Sequence, residues 1–384
     1  MKILVIHNSY KVSGGENQRV EEDMLLYKSI GINAYLYTKE NDTSFLSNFI
    51  SVITSPLNLF VYFELNKIIK NFKPDIIHIH NTWYKMGFAV YLVIKKNKIP
   101  TFQTLHNLRF FCANALMFRN GKDCSLCLNT RIYSVVHNCY KNRIISLISS
   151  LNNFLIIKSN VFSMGNFKFF SPNPYVDSLM SNKLNINPKK ILKFPNYVDD
   201  FMKLENKIIR EVDNFFLIVS RKSDEKGVSE FLEKWENLNL QFNLVIVGGI
   251  NKQIKINTDK IRFYSNIDKE QLAYFYQNCI GVIIPSTWRE GFPRVLIEAA
   301  SVNKPIIASN TIEITKSEDL VKFCFIFDHK NTISIKNSID LAYSRSQENK
   351  INSREWYLNF YTETKYLNYL ISSYRELINE VNKN

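Results

Sequence analysis

Short runs of apolar, β-branched residues alternate along the first half of the chain with longer segments of helical period. Residues 3–6, 33–37, 76–80, 101–105 and 167–171 have the length and composition of strands, whereas 18–30 and 86–96 repeat apolar side chains three and four apart. This alternation predicts a parallel α/β sheet. The stretch 45–70 is longer and mostly apolar, and reads as a buried helix pair or a surface-docking element. The pattern then restarts, with strands expected at 215–220, 243–248, 261–264, 281–285 and 305–309. Two successive α/β halves follow. Their join falls near Phe194-Pro-Asn-Tyr-Val-Asp, ahead of a charged stretch at 203–211 without strand pattern. From Arg354 onward the chain is a long, aromatic-rich helical tail, and neither repeats nor low-complexity tracts occur.

Length agrees with this division, because 384 residues exceed one ordinary domain and suit two with separate cores and a cleft between them. A hydrophobic content of 46% with 22% charged residues is that of a folded protein and excludes a disordered chain. The opening run Met1-Lys-Ile-Leu-Val-Ile-His is too short for a signal-peptide core and reads as a first strand. No stretch reaches the roughly 20 uninterrupted apolar residues of a membrane-spanning helix. The best candidate, Ile144 to Ile157, is broken by Ser146, Ser149, Ser150, Asn152 and Asn153. The expectation is a cytoplasmic protein with reduced cysteines.

Charge adds a second feature. The net +14 is concentrated in the first half, where residues 1–200 carry 24 basic against 12 acidic side chains. Between Asn81 and Phe170 twelve basic residues face one acid, Asp123. A surface so lopsided attracts a polyanion: nucleic acid, an anionic membrane or a phosphorylated acceptor.

Four places along the pattern carry candidate chemistry. The turn Ser13-Gly14-Gly15-Glu16 lies between a strand and a helix, where glycines let backbone approach a ligand and the helix start offers free amides to an anion. It is not the dinucleotide fingerprint, since G-x-G-x-x-G is absent. His80 and His106 end two strands of the first half, where open α/β sheets bind ligands. Ser220-Arg221-Lys222-Ser223-Asp224-Glu225-Lys226-Gly227 again follows a strand, which places Arg221 and Lys226 to hold a phosphate pair. Finally, Pro285-Ser-Thr-Trp-Arg-Glu290-Gly291-Phe292-Pro-Arg-Val-Leu-Ile-Glu298-Ala-Ala puts Glu290 in a loop and Glu298 more than a turn inside the next helix. Eight residues at helical rise separate the carboxylates by about 12 Å. That is too far for the acid and base of glycoside hydrolysis and suits two grips on one extended ligand.

E-x7-E after strand-end Arg and Lys, with an early Gly-Gly turn, resembles the family-4 retaining glycosyltransferases of GT-B fold, in particular those of bacterial surface-polysaccharide (capsule and O-antigen) synthesis. The resemblance extends over nearly the whole chain and includes Pro74-Asp75-Ile-Ile-His-Ile-His80-Asn, Thr104-Leu-His106-Asn and Phe194-Pro-Asn. It implies two Rossmann-like domains facing a central cleft: an acceptor domain over 1–197, rejoined by a helix over 355–384, and a nucleotide-sugar domain over 198–354. It also implies that Arg221 and Lys226 neutralise the donor diphosphate, that Glu298 accepts hydrogen bonds from the ribose, and that Glu290, with Gly291 and Phe292, holds the donor sugar. Gly15 meets the phosphate through its amide, and His106 lies beside the sugar. On this resemblance Glu290, His106, Arg221 and Lys226 form the catalytic set, with no cofactor and no catalytic metal, consistent with the lack of a suitably placed Asp-x-Asp.

The implied reaction moves a hexose or N-acetylhexosamine from a nucleotide-diphosphate sugar, a UDP-sugar first and GDP-mannose second, to a saccharide acceptor linked to polyprenyl diphosphate. Peripheral contact with the inner face of an anionic membrane is expected through the basic surface and Phe45, Leu46, Phe49 and Ile50. A nucleotide-sugar epimerase or sugar phosphorylase on the same fold is the alternative. A basic zinc-containing nucleic-acid binder is a further one, but it leaves Glu290 and Glu298 unexplained, and no nucleic-acid partner is expected. Cys112, Cys124, Cys127 and Cys139 include a Cys-x2-Cys pair, which leaves open a tetrahedral zinc knot or thiols that stabilise a loop by packing.

Overall fold

The computed structural model describes residues 1–10, 14–40, 53–194, 196–205, 207, 212–221, 223–248 and 259–383. Ser13, Lys222 and the expected docking residues Phe45, Leu46, Phe49 and Ile50 lie outside these. The chain divides into two compact units, one of Met1–Arg119, Cys124–Phe194 and Leu367–Asn384, the other of Asn120–Asp123 and Pro195–Tyr366.

The first unit holds strands β1 (Lys2–Ser9), β2 (Asn33–Glu40), β3 (Ile76–Asn81) and β4 (Thr101–Thr104), a two-residue hairpin made by β5 (Phe118–Arg119) with β6 (Lys122–Asp123), then β7 (Phe167–Ser171) and β8 (Ile191–Lys193). The main sheet runs β2-β1-β3-β4-β7-β8, with parallel neighbours throughout. Helices α1 (Gly15–Ser29), α2 (Leu59–Phe72), α3 (Ala89–Asn97), α4 (Ile132–Val136), α5 (Arg143–Lys158) and α6 (Pro174–Leu184) follow in chain order. Parallel strands are covered on both faces, so they read as continuous apolar runs. Accordingly, Leu4, Ile6, Ile77, Ile79, Phe167 and Phe169 are fully buried in one core.

The second unit repeats the plan with β9 (Phe215–Ser220), β10 (Asn243–Gly248), β11 (Ile261–Tyr264), β12 (Gly281–Ile284), β13 (Ile306–Ser309) and β14 (Cys324–Phe327). Their order is β11-β10-β9-β12-β13-β14, again parallel. This is the doubly wound order in which direction reverses between the first strand and the fourth, and there β9 and β12 lie side by side. Helices α7 (Val228–Asn237), α8 (Lys269–Asn278), α9 (Arg294–Ser301), α10 (Thr332–Gln347) and α11 (Ser353–Phe360) complete the unit, before α12 (Glu363–Asn382). Asp268 caps α8 by a reciprocal box with Gln271, which satisfies two amides that the helix cannot.

The return to the first unit comes at Leu367 rather than at residue 355. The reason is packing: Trp356 and Tyr357 are buried in the second core, where Trp356 meets Phe323 with ring centroids 5.5 Å apart. The first boundary likewise lies just after Phe194, because Tyr197 packs against Tyr366 within the second unit, their tilted rings 4.7 Å apart between centroids. Beyond the strands expected from sequence, the structure adds β8, β14 and the hairpin, all four residues or fewer.

One glycine is dictated by this architecture. Gly227 has φ +69°, and a Cβ there would come within 2.2 Å of the Pro285 carbonyl oxygen. The chain after β9 thus presses on the chain leaving β12. Gly227→Ala should cost about 2 kcal/mol or more in left-handed strain and steric conflict. The expected readout is a melting temperature about 5 °C or more below wild type in a thermal unfolding scan.

Candidate functional site

In the second unit the loops leaving the carboxyl ends of β9 and β12 meet at the reversal point of the sheet, where open α/β sheets take their ligands. The β9 loop closes into a single turn, Asp224–Lys226, and Gly227 then admits α7. Thr287, just past β12, donates its amide to the Glu225 carbonyl at 3.0 Å and its hydroxyl to the same oxygen at 3.2 Å. One carbonyl thus ties the two loops together, through a backbone and a side-chain bond.

Across this tie, the Lys226 ammonium pairs with Glu290 Oε1, and Ser286 Oγ donates to Glu290 Oε2 at 2.5 Å. The Glu290 amide region is fixed too, its carbonyl accepting from the Glu313 amide at 3.1 Å. Burial pushes the Glu290 carboxyl up, but Lys226 by charge and hydrogen bond, then Ser286 and Arg221, outweigh it and hold it below the ordinary value. It is therefore an anion at neutral pH. Arg221 is 60% exposed and bonds Glu225 Oε1 at 2.7 Å through one guanidinium nitrogen. A planar guanidinium suits the forked binding of a phosphate.

Glu298 lies in the fifth position of α9. Its Oε2 accepts from the Tyr276 hydroxyl of α8 at 2.6 Å, and Arg294, one turn before it, approaches Oε1 at 4.0 Å. Burial first, then the neighbouring carboxylate, push the Tyr276 phenol well up, so it stays a donor. Phe292 turns its ring into the unit, against Tyr361 at 5.2 Å and Trp356 at 6.4 Å. A donor contact by this residue, expected from sequence, is thus left to its backbone. Gly291 precedes it in the same loop.

The first unit gathers its sequence-marked residues at the ends of β1, β3 and β4. Gly14 caps α1 and Gly15 opens it, and a Cβ at either would meet nothing within 4 Å. Neither packing nor a positive φ requires these two glycines. They leave open space over the amides of a helix start. His80 Nδ1 lies 3.0 Å from His106 Nε2, and the two rings stack at 5.2 Å. His80 Nε2 faces Asp23 Oδ2 at 3.8 Å. Behind them His78 bonds Thr104 Oγ1 at 2.8 Å and the Tyr374 hydroxyl at 2.6 Å, and Tyr27 continues the chain to Tyr374 at 2.9 Å. Burial, with neighbouring histidines and Arg19, drives His80 and His106 well below the usual imidazole value, and burial takes His78 to about 3. All three are neutral hydrogen-bonding groups. His7, His78 and His80 are buried, whereas His106 is half-buried and reaches the surface.

Sequence reasoning missed Ser286, Tyr276, Glu225 and the buried Asp23, Arg19 and His78. Ser286 carried a signal, being the second residue after the apolar run of β12. Tyr276 carried none, because it sits among apolar neighbours inside a helix. Among the described residues no group of three or more His, Cys, Asp or Glu is placed to hold a metal ion. The four loop cysteines are free thiols, of which Cys127 is pushed up to about 12 by burial and by its three partners Cys112, Cys139 and Cys124.

Two doubly wound parallel sheets, each with polar loops at its carboxyl ends, form the GT-B architecture. The comparisons agree on the family. Glycosyl transferases group 1 matches residues 201–354, and Glycosyl transferase 4-like matches residues 36–145. A Klebsiella pneumoniae protein of a cps region, described as uncharacterized, is 23% identical over 90% of this chain and 86% of its own. The Campylobacter jejuni N,N'-diacetylbacillosaminyl-diphospho-undecaprenol alpha-1,3-N-acetylgalactosaminyltransferase is 26% identical over 66% of this chain and 65% of its own. Among solved structures, Anabaena HepE in complex with UDP and glucose superposes with a TM-score of 0.64 at 13% identity, over 98% of this chain and all of its own. This chain belongs to the family-4, group 1 glycosyltransferases.

The Lys226–Glu290 pair has a pH signature. A carboxyl whose folded value is depressed stabilises the fold above its unfolded value of 4.5, and that contribution is lost as pH falls through the lower folded value. Lys226→Met removes the main opposing charge and leaves burial in control, so the Glu290 carboxyl then rises above the unfolded value. Stability should drop by about 3 kcal/mol at neutral pH. It should recover on acidification towards about pH 4, the reverse of wild type. Melting temperatures across that range check the sign, and parallel curves for the two proteins would refute the pairing.

Proposed function

We propose that this chain transfers a hexose or N-acetylhexosamine, with retention at the anomeric carbon, from a nucleotide-diphosphate sugar to a lipid-linked saccharide in the synthesis of a surface polysaccharide. The observation that carries the reading is the ionised Glu290, held by Lys226 and Ser286 at the reversal point of the second sheet, with exposed Arg221 on the same loop pair. Cations there meet a diphosphate, and a fixed carboxylate beside them accepts hydrogen bonds from sugar hydroxyls. Glu298, on the following helix, is assigned to the ribose.

Such a site works by electrostatics and alignment. Arg221 and Lys226 stabilise the charge that develops on the departing diphosphate, a kind of contribution worth about 10²–10³ in kcat per donor. Glu290 orients the sugar, so its removal lowers kcat through misalignment. In the first unit, neutral His106 offers a hydrogen bond at the end of β4 without adding charge. The open Gly14-Gly15 amides provide a second anion contact.

Likeness to a structure holding UDP and glucose favours a uridine donor, and the Campylobacter relative's named diphospho-undecaprenol substrate favours a lipid-linked acceptor. The cps-region relative favours surface polysaccharide.

UDP should raise the melting temperature of wild type more than GDP does, since a ligand that binds only the folded state stabilises it by mass action. Arg221→Ala should abolish that rise and lower transfer by about 10²-fold or more. Glu290→Ala should stop transfer while still permitting a shift with UDP. Wild-type transfer rates in either variant would refute the site, and donor turnover without any acceptor would favour an epimerase or phosphorylase.

A further inference from the structure

Helix α5 seats Ile156 in the first core with Leu155 and Ile157 packed against it, yet it also leaves an apolar stripe outside. It buries Ser146, Ser149, Ser150, Asn152 and Asn153 against the first unit, while Ile144, Leu147, Leu151 and Phe154 are 56%, 54%, 44% and 44% exposed. These four recur at steps of three, four and three, so they form one stripe. The buried polar face is held by hydrogen bonds: Ser150 Oγ to Ser134 Oγ at 2.7 Å, Asn153 Nδ2 to the Arg109 carbonyl at 2.6 Å, and Ser149 Oγ to the Ala113 carbonyl at 3.3 Å. Four large apolar side chains left in one stripe gain nothing from folding unless something covers them.

Neighbouring elements enlarge the stripe. Helix α4 packs on α5 and exposes Ile132 and Val136, and the turn Ser55–Leu57, which also touches α5, exposes Leu57. Lys141, Arg143 and Lys158 are exposed at its margins. No Asp or Glu occurs anywhere from residue 124 to residue 176. An apolar stripe with a purely cationic rim fits the interface of an anionic bilayer, where acyl chains take the leucines and headgroups take the lysines and arginine. A second copy is disfavoured, because a two-fold contact would set one basic rim against the other.

We propose that the α4–α5 face docks the protein on an anionic lipid surface, with α5 lying in the plane of the headgroups. By length and composition the stretch Arg143–Ser163 is apolar enough to cross a membrane. Ser146, Ser149, Ser150 and Asn153 are already engaged within the unit, which fixes the helix on the surface instead. This inference is independent of the transfer reaction and of residues 45–50.

Cosedimentation of the full chain with phosphatidylcholine vesicles, with and without phosphatidylglycerol, tests it. Wild type should pellet with the anionic vesicles, less so at high salt, and remain in solution with phosphatidylcholine alone. Leu147→Glu with Leu151→Glu should reduce vesicle binding by about tenfold or more, and Arg143→Glu with Lys158→Glu should do so too. Leu147→Ser with Leu151→Ser serves if the glutamates disturb folding, as read by thermal melting. Transfer to a soluble acceptor should be unchanged in all of them, so that failure here is distinct from failure of the transfer reading. Unchanged vesicle binding in the leucine variants overturns the proposal. So does a wild-type dimer, measured by light scattering, that these substitutions split into monomers.

Discussion

A carboxylate withdrawn from water at the end of a parallel strand has to be answered by a cation, and the second unit is arranged around that demand. Glu290 follows β12 and Lys226 follows β9, strands that adjoin only because the winding of the sheet reverses between them. For the ammonium to reach the carboxylate, the β9 loop must press on the β12 exit closely enough that Gly227 has no room for a methyl group. Thr287 then secures the same approach through two hydrogen bonds to one carbonyl. Charge pairing, a left-handed glycine and sheet topology are thus one constraint seen at three scales. Its product is an ionised carboxylate with Arg221 still exposed beside it.

This explains what was legible in the sequence. Apolar, β-branched runs such as those of β1, β9 and β10 announced themselves, and the order in which they alternated with helices implied parallel sheets before any contact was known. Residues at the end of a strand or in the loop after it, among them His80, Arg221 and Glu290, could be marked because the strand end is itself readable. The partners that make those residues work were harder to see. Tyr276 reaches Glu298 from the interior of another helix, and Asp23 faces His80 from the middle of α1. Their neighbours in sequence are no different from those of ordinary helix residues, and only the fold brings the pairs together. The three-residue strand β8 escaped for a related reason, since so short a run does not distinguish a strand from a turn of helix.

The same contrast separates the two units chemically. In the second, burial is overcome by charge, and Glu290 stays ionised. In the first, burial prevails: the three imidazoles are desolvated together, each adds to the cost of charging the next, and all remain neutral. His106 is therefore presented as a polar but uncharged group at the end of β4, backed by His80. A fixed hydrogen-bonding side chain of that kind can orient a substrate without competing electrostatically with the cations that the reaction requires elsewhere.

Helix α5 shows how position on a helix changes what a run of residues means. Serines and asparagines interrupt the apolar run from Ile144 to Ile157, although the stretch as a whole is still apolar enough for a span. Placed on a helix, those residues share the buried side with Ile156, and Ile144, Leu147, Leu151 and Phe154 form a stripe on the outer side. The interruptions are what attach the helix to the protein, through bonds to Ser134, Ala113 and Arg109. Their effect is to turn the leucines outward. A helix with the opposite orientation would have given the unit a larger core and an unremarkable surface, so the orientation has to be understood from what the outer face meets.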